Sequence, residues 1–184
     1  MTAKSRSNPD TKKVDLNPAG HEKAISEHAS DSEAEAGALD HFRECSDEAS
    51  IDEAFGLIRQ LRPKLTTSEQ WNTAFKRQAK SGYRVLLAIR DGVPRALAGF
   101  RIQENLIHGK FLYVDDLVTD SHVRSTGIGK KLLEELEWEA QHSHCDHLVL
   151  DTALSNKRAQ RFYEHCKMSA LAARYVKRLV VNDE

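Results

Sequence analysis

Two adjacent acids, a glycine-containing turn and a tyrosine are the residues of this 184-residue chain best suited to chemistry. Asp115 and Asp116 interrupt the otherwise apolar segment Phe111 to Thr119, FLYVDDLVT. A carboxylate so placed can accept a proton from a nucleophile or pair with a cation. On a regular strand the two would point to opposite faces, so only one faces a given ligand unless a bulge intervenes. A few residues on, Arg124-Ser125-Thr126-Gly127-Ile128-Gly129-Lys130 opens into an amphipathic helix. A helix start presents unpaired N–H groups and the positive end of the dipole, which suits phosphate. Gly127 and Gly129 let the backbone approach an anion with no Cβ in the way, and Arg124 and Lys130 add charge. The turn lacks the GxxxxGK[ST] of a triphosphate loop and the third glycine of a dinucleotide fingerprint. Taken alone it also fits an ordinary strand-to-helix connection.

These residues need a scaffold, and the hydrophobic pattern supplies one. HFREC, from His41, reads as a first strand, followed by a helix over Glu48 to Leu61 that ends at Pro63. Trp71, Ala74, Phe75 and Gln78 recur at helical spacing between Thr66 and the breaker Ser81-Gly82. Tyr83 to Arg90 and Arg95 to Ile102 are strands joined by a tight turn at Asp91-Gly92, and Phe111 to Thr119 is a third. Ile128, Leu132, Leu133, Leu136 and Ala140 share one helix face. A short apolar strand at His147 to Thr152, a helix over Asn156 to Cys166 and one or two closing strands over Met168 to Val181 complete the series. The expected fold class is α/β (α+β): a mixed, mostly antiparallel sheet flanked by helices.

Composition narrows the partners. Lys plus Arg number 27 against 28 for Asp plus Glu, which gives no field for a polyanion, so no nucleic acid is expected. Cys45, Cys145 and Cys166 lack a C-x-x-C pair and read as reduced thiols in a cytoplasm. No apolar leader or membrane-length apolar run is visible, so no membrane association is expected. Residues 1–40, rich in Ser, Ala, Glu, Asp and Lys and free of aromatics, read as a disordered tail with a transient helix over Ser30 to Ala38. Residues 41–184 form the single domain. His142, His144, Cys145 and His147 could ligate metal, but their spacing matches no common site and no metal is expected. Trp71 and Phe75 should pack in the core or under an acceptor cleft, and Trp138 falls off its helix stripe.

With those residues in place the chain resembles the GNAT superfamily of N-acetyltransferases. The superfamily's strand of two acids, two apolar residues and valine has its counterpart in Asp115-Asp116-Leu117-Val118-Thr119. The following Arg/Gln-x-x-Gly-x-Gly/Ala is matched by Arg124 to Gly129. A second element, Asn-x-x-Ala-x-x-Phe-Tyr, is present as Asn156, Ala159, Phe162 and Tyr163. The likeness covers about His41 to Leu179 and is closest to the branch acting on polyamines, amino acids and similar small amines. Thr119 replaces the usual valine, Ser121 a frequent proline, and Lys167 a glycine that normally follows the Phe-Tyr helix.

The resemblance implies acetyl-CoA as co-substrate and direct transfer to a primary amine of a small molecule in a ternary complex. It places the pantetheine arm and acetyl carbonyl on the backbone of Leu117, Val118 and Thr119. The pyrophosphate falls on the N–H groups of Arg124, Ser125, Thr126, Gly127, Ile128, Gly129 and Lys130, with Asn156 capping its helix and reaching the pantetheine. Tyr163 is the implied acid that protonates the departing sulfur. Asp115 is the implied base, through water, with Asp116 helping to bind a cationic substrate. A protein or peptide acceptor, a non-catalytic acetyl-CoA sensor or scaffold, and a homodimer are the remaining expectations.

Overall fold

A computed structural model describes residues 40–179. The expected tail, with its transient helix, lies outside the described residues but for Asp40. Strands β1 (Asp40–Glu44), β2 (Arg84–Arg90), β3 (Val93–Asn105), β4 (Gly109–Thr119) and β5 (His147–Leu150) form one sheet in the order β1-β2-β3-β4-β5. The first four are antiparallel neighbours and β5 runs parallel to β4. Helices α1 (Glu48–Leu61) and α2 (Ser68–Ala79) precede β2, α3 (Ile128–His142) crosses from β4 to β5, and α4 (Lys157–His165) follows β5.

Alternation along the strands divides the core into two layers. On one face Val85, Leu87, Ile89, Leu97 and Val118 pack with Ile51, Leu57 and Ile58 of α1 and Trp71 of α2. On the other, Ala88, Ala98, Phe100, Leu112 and Val114 meet the Ile128, Leu132, Leu133 and Leu136 stripe of α3, with Phe162 of α4 against the same cluster. Trp71 is a core residue, its Nε1 donating to the Ile51 carbonyl at 2.8 Å, and Phe75 packs beside it. Trp138 stacks on His142, with ring centroids 3.7 Å apart.

Alternation at Met168 to Val181 predicts closing strands, yet as far as Leu179 none forms. An alternating segment becomes a strand only when a neighbour hydrogen-bonds it and receives one of its faces. Here Leu171, Tyr175, Val176 and Leu179 are all exposed, and Arg174, which reaches Asp151 and Tyr113, ties the segment to the sheet. Residues 180 and 181 lie outside the described residues.

Candidate active site

A break in pairing creates the site. β5 pairs with β4 only from Phe111 to Val114, so beyond that point the outer edge of β4 has no strand beside it among the described residues. The free edge runs through Leu117, Val118 and Thr119 into the turn that starts α3. The edge, this turn and one side of α4 line a cleft of about 830 Å³. Every residue expected to hold cofactor lines it: Leu117 to Thr119, Arg124 to Lys130, and Asn156. Tyr163 lines it too.

The turn is shaped by left-handed residues. Ser125 has φ 68° and Gly127, the N-cap of α3, has φ 84°. A Cβ on Gly127 would meet no atom within 4 Å, so the glycine answers to its conformation and not to crowding. Gly129 differs: its Cβ would stand 2.9 Å from Thr119 Oγ1, so its bare backbone is what lets α3 start against the end of β4. No side chain among the described residues caps α3, and its first backbone bonds run from Lys130 and Lys131 to the Gly127 carbonyl. The N–H groups of Ser125 to Gly129 therefore donate to nothing among the described residues. Orphan donors at an open helix start fit a diphosphate, and the free edge of β4 fits the amides of a pantetheine arm.

Tyr163 is half-buried, and its hydroxyl bonds to no described residue. Burial, and then the nearby Cys166, raise its pKa above the ordinary phenol value, so it holds its proton throughout the neutral range. Asn156 caps α4, its Oδ1 accepting from the Ala159 N–H at 3.1 Å. α4 closes with Met168 N–H bonding the Tyr163 carbonyl at 3.0 Å and Lys167 N–H bonding that of Glu164 at 2.9 Å. That paired pattern is a Schellman close, and it needs a left-handed residue between the two; Lys167, with φ 61°, adopts that conformation in place of a glycine.

The two acids lie apart from the cleft lining and face the same way. Gly99 pairs with Asp116 and Phe100 with Val114, so Asp115 is the extra residue of a β-bulge. The bulge turns both carboxylates toward the α1–α2 face. Asp116, almost fully buried, accepts from Arg62 Nε at 2.7 Å through Oδ1 and from the Tyr83 hydroxyl at 2.8 Å through Oδ2. Arg62 also donates to the Asp115 carbonyl at 3.0 Å. With one donor on each oxygen, Asp116 ties the end of α1, Tyr83 and the bulge together. Asp115 Oδ2 accepts from Arg101 Nε at 2.8 Å, and its other oxygen bonds to no described residue. Its side chain is 24% exposed against 10% for Asp116, so water reaches it.

Sequence reasoning missed two groups. Tyr83 and Gly99 build the bulge: a Cβ on Gly99 would fall 2.0 Å from the Tyr83 hydroxyl oxygen. Nothing in a strand pattern marks that pair, because it depends on cross-strand register. Arg158 and Arg161 also line the cleft; neither stands three or four residues from Asn156 or Tyr163, so helical spacing from those two does not single them out.

The comparisons with known proteins agree with this geometry. The acetyltransferase (GNAT) family matches residues 47–168, and the chain belongs to that family. It is an acyltransferase by class. An uncharacterized N-acetyltransferase, YhdJ, of Bacillus subtilis (strain 168) is 26% identical over 123 residues, 67% of this chain and 87% of that one. Glucosamine 6-phosphate N-acetyltransferase of Arabidopsis thaliana is 38% identical over 61 residues, 33% of this chain and 39% of that one. Among solved structures, the aminoglycoside N-acetyltransferase AAC(6')-Iy in complex with CoA superposes with a TM-score of 0.69 at 16% identity, covering 79% of this chain and 98% of that one. Among the described residues no helix is long and apolar enough to cross a membrane.

Proposed function

We propose that the protein transfers the acetyl group of acetyl-CoA to the primary amine of a small molecule, both being bound at once. The observation that carries this reading is the set of N–H groups from Ser125 to Gly129 that bond to nothing among the described residues and continue the open edge of β4 within one cleft. The relatives named for aminoglycoside and for glucosamine 6-phosphate acetylation support a small amine as acceptor.

Acetyl-CoA, when bound, supplies an activated acyl carbon whose C–S bond breaks as the C–N bond to the amine forms. Ser125 to Gly129 would hold its diphosphate and Leu117 to Thr119 its pantetheine arm. An N–H of that strand aimed at the carbonyl oxygen would be worth about 3 kcal/mol in the transition state. Tyr163, which lines the cleft, holds a proton at Oη for donation to the leaving sulfur. Asp115 is the group we assign to take the amine proton through a water, since it keeps an uncommitted oxygen and solvent access. Asp116 positions the bulge from which Asp115 projects.

Thiol release from acetyl-CoA across a panel of small amines tests the reaction, and absence of release with every amine would sink it. Tyr163→Phe should lower kcat by roughly 100-fold or more while CoA affinity, by calorimetry, stays within about twofold of wild type. Equal turnover would remove the tyrosine from the proton path.

A further inference from the structure

The cleft carries more positive charge than a diphosphate held by backbone needs. Arg124, Lys130, Arg158 and Arg161 line it, and no aspartate or glutamate does. Lys130 is balanced by Glu134 at 3.2 Å. Arg124, Arg158 and Arg161 enter no ion pair among the described residues. The neighbouring groove shows the contrast, since there Lys130 and Lys167 face Glu134 and Glu137.

Arginines left without a counter-charge on a cleft wall are consistent with an anionic ligand that completes them. The placement of Arg158 is also unfavourable for its own helix. α4 opens with Lys157 and Arg158 and has no acid in its first turn, whereas α1 and α2 carry Glu48 and Glu69 there. Cations at the positive end of a helix dipole oppose it. A local rule broken beside a binding cleft points to function in preference to stability. Arg158 Nη2 stands 3.5 Å from Ser125 Oγ, so its head already reaches across to the phosphate turn.

The diphosphate has its partners in that turn, with Arg124 at its start. CoA carries one further phosphate, a monoester on the ribose 3′ oxygen. We propose that Arg158 and Arg161 form a second anion subsite that binds this 3′-phosphate and makes the protein select CoA over dephospho-CoA. The subsite rests on the cofactor reading above and adds to it: the pantetheine and diphosphate contacts are common to both nucleotides, and only the arginine pair tells them apart.

Calorimetric titration of the full chain with CoA, dephospho-CoA and adenosine 3′,5′-bisphosphate tests the subsite without any turnover. Wild-type protein should bind CoA roughly tenfold or more tightly than dephospho-CoA, and this ratio should shrink as salt rises. In the Arg158→Ala/Arg161→Ala double variant the two affinities should agree within about twofold, through loss of CoA affinity alone. Lys157→Ala, which alters a side chain bonded to Gln160 outside the cleft, should keep the wild-type ratio. Equal affinities in the wild type, or a preference that survives the double substitution, would overturn the proposal. Failure of wild-type protein to bind either CoA form would overturn the cofactor reading itself and the subsite with it. The salt series needs no variant, so a preference indifferent to salt would argue against the subsite even if the double variant folded poorly.

Discussion

The two sides of the sheet finish their helices differently. On the α1–α2 side, Asp47 and Ser50 close a reciprocal capping box, Thr67 caps α2, and each helix has an acid in its first turn and a base in its last. On the α3–α4 side, α3 starts at a bare glycine with no cap bond, neither helix has an early acid, and α4 begins with two cations. The first side has both helix starts capped by side chains and should respond to mutation through stability. The second keeps donors and charge in reserve, and should respond through ligand affinity.

The largest expected effect tests the second half of that contrast. Gly127→Asp puts a carboxylate at the turn whose N–H groups are open. CoA affinity should fall by roughly 100-fold, read by calorimetry, while the melting temperature moves by only a few degrees. A large loss of stability with unchanged affinity would reverse the roles assigned to the two sides.

Gly99→Ala tests the first half. The added Cβ would drive the Tyr83 hydroxyl off Asp116, in a layer where Tyr83 and Trp71 are each 2% exposed. Overpacking of this kind costs about 1–3 kcal/mol, measurable by urea unfolding. CoA affinity of the folded fraction should be little changed. Tyr83→Phe, which leaves the space intact, should cost less than Gly99→Ala, and the reverse order would mean that the hydrogen bond, not the close approach, sets the bulge.

The junction between the two sides has a pH signature. Asp120 accepts from His122, Arg95 and Gln60, and these contacts, the one to His122 foremost, lower its pKa from 3.8 to about 2. A carboxyl whose folded pKa is depressed adds stability above its ordinary value and loses it as pH falls through the folded one. Thermal unfolding between about pH 4 and 2 should therefore show a steep loss that Asp120→Asn flattens. An unchanged slope would mean that the Gln60 and Arg95 contacts do not hold this loop to α1 and β3.

How far the sequence reached depends on what each feature rests on. Helix α1 was legible to the residue, because Pro63 and the spacing of Ile51, Leu57 and Ile58 are local signals. The cleft was legible through Gly127, Gly129 and Asn156, whose conformation or capping role is written in residue type. The direction of Asp115 and Asp116 was not, since it turns on a register shift of β4 against Gly99 and Phe100 of β3, which no pattern within β4 itself records. Alternation at Met168 to Val181 misled as far as Leu179, because periodicity describes a segment's faces and says nothing of whether a neighbour exists to receive them.

Lys167 marks where the two economies meet on one helix. Its φ of 61° is the left-handed geometry a Schellman close demands, and a lysine there loses the freedom that glycine would have. The close also fixes the Tyr163 carbonyl, since Met168 N–H bonds to it, so any strain sits one turn from the residue assigned to the proton. Lys167→Gly should relieve the conformational strain, while the unfolded glycine chain, being more flexible, takes part of the gain back. The expected net is a stabilisation of roughly 0.5–1 kcal/mol, with kcat unchanged because the bonds to Glu164 and Tyr163 remain. Destabilisation would show that the lysine side chain makes a contribution to the fold larger than its strain. A shift in kcat without a shift in stability would show that this last turn tunes the placement of Tyr163, which would carry the sensitivity of the open side beyond the cleft wall.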